Sequence, residues 1–206
     1  MKKWDQFFPD LLIDLPGCPN PTIEHALLRA AQQFFSGAHV WKIWLDNTAT
    51  SLNVTQYDIA LEPNSELVRL ERATLDGRPI GIKVPESLPA DWQTNTAGIA
   101  DCIFTSDRKT LFLLPAKAAG LILRVEATLK PANSATGIED DLFDQYADTI
   151  AMGAKARLMQ QLGKPYTNMT DGATYEQRFM TAIKTIEFQR FRAFSSTSPR
   201  ARVKTF

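Results

Sequence analysis

Ile23, Ala26, Leu27, Ala30, Ala31, Phe34, Phe35 and Ala38 recur at the i, i+3, i+4, i+7 spacing of one helical face. That spacing predicts an amphipathic helix of about 17 residues. Asn20 followed by Pro21 supplies its start, and Gly37 its expected stop. From Val40 the period changes to short β-branched and aromatic runs separated by turn residues, which predicts strands near 41–46, 54–60, 66–75, 79–84, 100–105, 110–114 and 121–130. Asp76-Gly77 is a hairpin signal, because a tight turn there needs positive φ, and residues 106–109 read as a second hairpin tip. Leu121, Leu123, Val125 and Ala127 alternate with Ile122, Arg124, Glu126 and Thr128, as in an antiparallel sheet with one wetter face. Residues 85–98 read as loop, with one turn near Trp92.

The helical period returns after residue 135. Thr136 and Glu139 have capping-box spacing, which predicts a helix from there to about residue 162 with Phe143, Ala147, Ile150, Ala154 and Leu158 on its apolar face and Gly163 as its stop. A third helix is expected over 173–193, with Tyr175, Phe179, Ala182, Ile183 and Ile186 on one face. Strands do not alternate with helices, so a parallel α/β sheet is disfavoured. The expected fold is α+β: a three-helix bundle (1–39 and 136–194), an antiparallel β insertion (40–135) and a flexible tail (195–206).

Composition narrows the function classes. The 206 residues carry 23 basic and 23 acidic side chains, and 44% are hydrophobic, which excludes disorder over most of the chain and argues against a strongly basic nucleic-acid module. Cys18 and Cys102 lie far apart without metal-ligand spacing, so two reduced, buried or half-buried thiols are expected. The N-terminal run lacks the apolar core of a signal peptide, and no stretch approaches the roughly 20 apolar residues of a membrane span. A protein made and kept in a reducing cytoplasm, with no cofactor, is expected.

Catalytic patterns are absent. His25 and His39 are the only histidines, no G-x-S-x-G, Walker A or G-x-G-x-x-G occurs, and Gly163-Lys164 is followed by Pro165 without an upstream glycine. Asp141, Asp144 and Asp148 fall within about 60° on one helix face, so they admit a Mg²⁺ site. Lys155 shares that face, which is also the pattern of a solvated or partner-facing surface. Arg157 projects beside the apolar stripe, where a charge needs a partner.

Phe188, Phe191 and Phe194 follow the third helix's core stripe at three-residue spacing on a different side, with Arg190 and Arg192 between them. This is either an interaction surface or a patch covered by the β insertion. The charge balance also conceals a division along the chain. From Arg178 onward seven basic residues, including Arg200, Arg202 and Lys204, face one acidic residue, Glu187; the net of +6 there leaves −6 before it. Together with Phe206, these residues form the candidate partner-binding segment.

Phe8-Pro9-Asp10, Leu15-Pro16-Gly17-Cys18-Pro19 with Glu24-His25-Ala26, the run from Asp144 to Ala156, and Gly163-Lys164-Pro165-Tyr166-Thr167-Asn168 together resemble head-to-tail adaptors of tailed bacteriophages, of the tail tubular protein A type. The family often has Trp at 166 and Pro at 169, where this chain has Tyr166 and Met169. The resemblance implies a structural virion protein at the head–tail junction, in a ring of about twelve copies between the portal protein and the tail nozzle or tail tube, with DNA passing through the lumen. It implies that the bundle faces the portal, the insertion meets tail proteins, and the tail segment reaches along the portal. The rival readings are a metal-dependent nuclease using Asp141, Asp144 and Asp148, and a different neck or tail-completion ring protein.

Overall fold

The computed structural model describes residues 1–92 and 98–192, apart from the side chains of 191 and 192. In chain order the elements are β1 (Lys2–Lys3), α1 (Phe8–Leu12), α2 (Asn20–Ala38), β2 (Lys42–Trp44), β3 (Thr48–Ala49), β4 (Gln56–Asp58), β5 (Ser65–Leu75), β6 (Arg78–Ile82), β7 (Cys102–Phe104), β8 (Thr110–Leu114), β9 (Ile122–Pro131), β10 (Gly137–Ile138), α3 (Asp140–Met159) and α4 (Met169–Arg192). The fold is α+β, with four helices and a large curled sheet among the described residues. Residues 1–40 and 133–192 belong to one compact unit and Trp41–Ala132 to a second.

In the first unit, α2 begins on the Pro19 carbonyl, which accepts the Thr22 and Ile23 amides (2.9 and 3.1 Å). Asn20 is thus the first helical residue rather than the cap, and no cap side chain takes part. The helix also runs through Gly37. His39, at φ 55°, takes the left-handed terminal position, and its amide returns to the Phe35 carbonyl at 3.1 Å. Gly37 serves instead to let α4 approach, since a β-carbon there would lie 2.7 Å from Ile183 Cγ2.

The expected capping box at Thr136 does not form. Gly137 and Ile138 pair as β10 with β1, placing Lys3 opposite Gly137, and a β-carbon on Gly137 would overlap the Lys2 carbonyl. The helix therefore waits for extended Glu139 and starts at Asp140. It closes at Met159 rather than 162, because the chain turns back and the Asn168 amide bonds the Met159 carbonyl at 2.9 Å. Gly163, at φ 70°, lies in the following turn.

α4 starts four residues before the expected 173. The Asn168 side-chain oxygen accepts the Asp171 amide (3.2 Å) and the Asn168 carbonyl accepts the Gly172 amide (2.8 Å). Gly172 sits inside the helix, where a β-carbon would meet Gln160 Cγ at 3.0 Å and Met159 Cβ at 3.2 Å. The helices pack through small residues and aromatics. Gly153 of α3 admits the Phe179 ring and Ala30, Phe34 lies 5.0 Å from Tyr146, and Phe7 meets Phe143 edge-on at 4.7 Å. The segment 4–12, for which no helix is predicted above, is helical and buries Trp4, Phe7 and Leu11.

The second unit has the strand order β2-β9-β5-β6-β7-β8-β4, with β3 also on β9. Its centre is the long β5·β9 pair, where register shifts at Leu67/Arg69 and Leu70/Arg72 bend the sheet. The curled sheet encloses Ala73, Leu75, Ile103, Leu113, Leu123 and Val125. Leu123, Val125 and Ala127 are buried as the alternation predicts, but so is Thr128, which belongs to the expected wetter face. Asp76 and Gly77, at φ 46° and 76°, make the predicted hairpin. One pairing departs from the antiparallel expectation: β6 and β7 run parallel, with Gly81 opposite Cys102, and residues 83–101 make the connection between them. Trp92 from that connection stands edge-on to Phe104 and Phe112 at 5.0 and 5.7 Å, over a second cluster with Cys102 and Leu114.

Candidate partner-binding surface

The predicted partner segment starts on α4, whose 24 residues extend about 36 Å. Phe179 and Ile183 are buried against the rest of the unit, and Gly172 with them. Gln177, Arg178, Thr181, Lys184, Thr185 and Phe188 are exposed. Phe188, 55% exposed, and Arg190 do not share a side, because two residues of helix separate them by about 160°. Arg190 turns inward and its Nη1 donates to the His39 carbonyl at 3.1 Å, satisfying a terminal carbonyl of α2. Glu187 lies 3.8 Å from His39 Nδ1. Phe191 and Arg192 close α4, but their side chains lie outside the described residues, as do Phe194, Arg200, Arg202, Lys204 and Phe206.

Asp141, Asp144 and Asp148 are exposed on α3. No group of three or more His, Cys, Asp or Glu side chains suited to a metal ion occurs among the described residues. Asp148 lines a groove of about 310 Å³ between α1 and α3, with Asp10, Ile13, Asp14, Met152 and Lys155. Lys155 does not stand free beside the aspartates. Its ammonium donates to Asp14 Oδ2 at 2.6 Å and lies 5.4 Å from the Tyr175 ring centre, and the Tyr175 hydroxyl is 3.4 Å from the same oxygen. Arg157 is exposed, and its Nη2 donates to Gln33 Oε1 at 2.6 Å.

The remaining reactive groups are quiet. Cys18 and Cys102 are free and buried, and burial pushes both thiols above their ordinary range, which suppresses the nucleophilic thiolate. His25 is exposed and lines a second groove, of about 550 Å³, with Trp4, Glu24 and Thr136. Among the described residues no helix is long and apolar enough to cross a membrane.

Several contacts that shape this surface have no signal in the sequence pattern. Gln32, on the buried face of α2, accepts from Arg29 Nη1 (3.1 Å) and donates to Asn133 Oδ1 (3.0 Å), across 101 residues. The Asp14 pairing with Lys155 spans 141 residues and depends on α1 lying beside α3.

No curated protein gives a match to this sequence. The family model described as SU10 adaptor protein matches residues 8–203, taking in the helical unit, the curled sheet and the basic C-terminal segment. The chain therefore belongs to the SU10 adaptor protein family, a family of bacteriophage head-to-tail adaptors.

Proposed function

We propose that this chain is a structural, non-enzymatic virion protein, the adaptor subunit that joins the portal to the tail nozzle. About twelve copies form a closed ring around a lumen through which DNA passes without sequence-specific contact. In this reading residues 1–39 and 136–194 act as a three-helix bundle facing the portal. Residues 40–135 meet tail proteins, and 195–206 run along the portal.

The family match across residues 8–203 carries the proposal. Three further observations support it: α4 leaves most of its surface uncovered, it leads into a segment of strongly positive sequence charge, and both thiols are buried. Phe188, Phe191, Arg192 and Phe194 pack against a neighbouring subunit or the portal, with Arg200, Arg202, Lys204 and Phe206 continuing the contact, while Arg190 anchors the end of α2 behind them. The exposed carboxylates Asp141, Asp144 and Asp148 then act as surface charge rather than as metal ligands. Deletion of 195–206 tests the assignment: the truncated chain is expected to fold and to fail to attach to portal-bearing heads, and undiminished attachment contradicts the role of the tail.

A further inference from the structure

Two surfaces of the helical unit carry opposite charge. The first is the ridge of α4 formed by Gln177, Thr181, Lys184 and Phe188, all exposed, at i, i+4, i+7 and i+11. It points away from buried Phe179 and Ile183 and extends about 17 Å. Arg178 flanks it, and no exposed position between 177 and 188 carries a carboxylate; half-buried Glu187 is turned toward His39. The ridge is therefore positive, with an aromatic side chain at one end.

The second is the groove between α1 and α3. Its wall includes Ile13, 82% exposed, with buried Ala151 and half-buried Met152. Asp10 and Asp148 stand exposed at its rim, while Asp14 is already neutralised by Lys155. The groove is an apolar trough with unneutralised negative edges.

We infer that a second copy of this chain seats its α4 ridge in this groove, with Lys184 and Arg178 against Asp148 and Asp10 and with apolar contact to Ile13 and Met152. This rests on the ring assembly proposed above and names the two surfaces by which neighbours meet. The argument for a copy of the same chain is complementarity within one compact unit. Two non-overlapping patches of opposite sign are what a head-to-tail self-contact requires, and such a contact repeats from subunit to subunit until it closes. An unrelated partner would need only one of the two patches.

The full-length chain with Met152→Cys and Thr181→Cys tests the contact, loaded on portal-bearing heads and oxidised, with each single variant as control. The native thiols are buried and add little background. The double variant is expected to give a ladder of linked dimers, trimers and higher species that neither single variant gives. Adding Asp148→Lys or Lys184→Glu is expected to reduce the ladder about tenfold, and adding both to restore it. Several copies per head by quantitative mass spectrometry without a ladder, or a ladder indifferent to the charge reversals, overturns this interface and leaves the ring reading standing. A single copy per head overturns the ring reading and the interface with it.

Discussion

Gly37 of α2 faces Ile183 of α4 so closely that a β-carbon on the glycine would lie 2.7 Å from the isoleucine Cγ2. Ile183 is buried and branched at its β-carbon, so it has little room to turn aside. Gly37→Ala gains up to about 1 kcal/mol of helix propensity and forces an overpacked contact costing about 1–3 kcal/mol. The expected result is net loss of stability in urea denaturation at unchanged slope. Gly153→Ala should lose more, because its β-carbon would meet the Phe179 ring at 2.8 Å and Ala30 at 3.0 Å together.

Thr128 explains its own burial. Its hydroxyl donates to Glu71 Oε1 at 2.5 Å, and Arg69 and Lys42 approach the same carboxylate at 3.0 and 4.0 Å. Burial pushes the Glu71 carboxyl upward, but the Thr128 and Arg69 hydrogen bonds with the nearby positive charges outweigh it and hold the group below its ordinary value. Thr128→Val keeps the shape and removes the donor, so it should cost about 1–3 kcal/mol near neutral pH. The sign with pH follows: a depressed carboxyl contributes above its unfolded value and loses that contribution as pH falls through the lower folded one. Denaturation curves of wild type and Thr128→Val should converge on acidification.

Asp107 organises the β7–β8 hairpin tip. Its Oδ1 accepts the Lys109 and Thr110 amides at 2.9 and 2.7 Å, while Oδ2 accepts the Thr110 hydroxyl at 2.9 Å. These bonds, led by the Thr110 amide, lower its pKa to about 2. Asp107→Ala should destabilise the sheet unit above the normal aspartate range, with the difference fading between pH about 4 and about 2. Thermal melts across that interval check the direction.

Arg190 holds the left-handed end of α2 through the His39 carbonyl. Arg190→Ala should cost about 1 kcal/mol by hydrogen-bond loss alone, and Arg190→Lys should recover only part of it, since an ammonium lacks the planar fork. Hydrogen exchange of the Phe35–His39 amides reads the effect locally.

Local patterning accounts for much of what could be foreseen. The α2 stripe, the Asp76-Gly77 turn and the alternation of Leu123, Val125 and Ala127 each follow from residues adjacent in sequence. What escaped was set across the chain. Gly37, Gly137 and Gly172 look like breakers, yet at Gly37 and Gly137 another segment approaches too closely for a β-carbon, and at Gly172 the contacts to Gln160 and Met159 would be tight. Thr136 and Glu139 form a plausible cap that pairing with Lys2–Lys3 overrides. The groove beside Ile13 was illegible because α1 is only five residues long, too short to show a period.

The central claim is that this chain forms the ring joining portal and tail, and electron cryo-microscopy of virions at the head–tail junction tests it most directly. The account predicts repeated copies of this fold in a closed ring around the channel at the junction of portal and tail. Absence of the chain from the junction, or its presence there as a single copy, would contradict it.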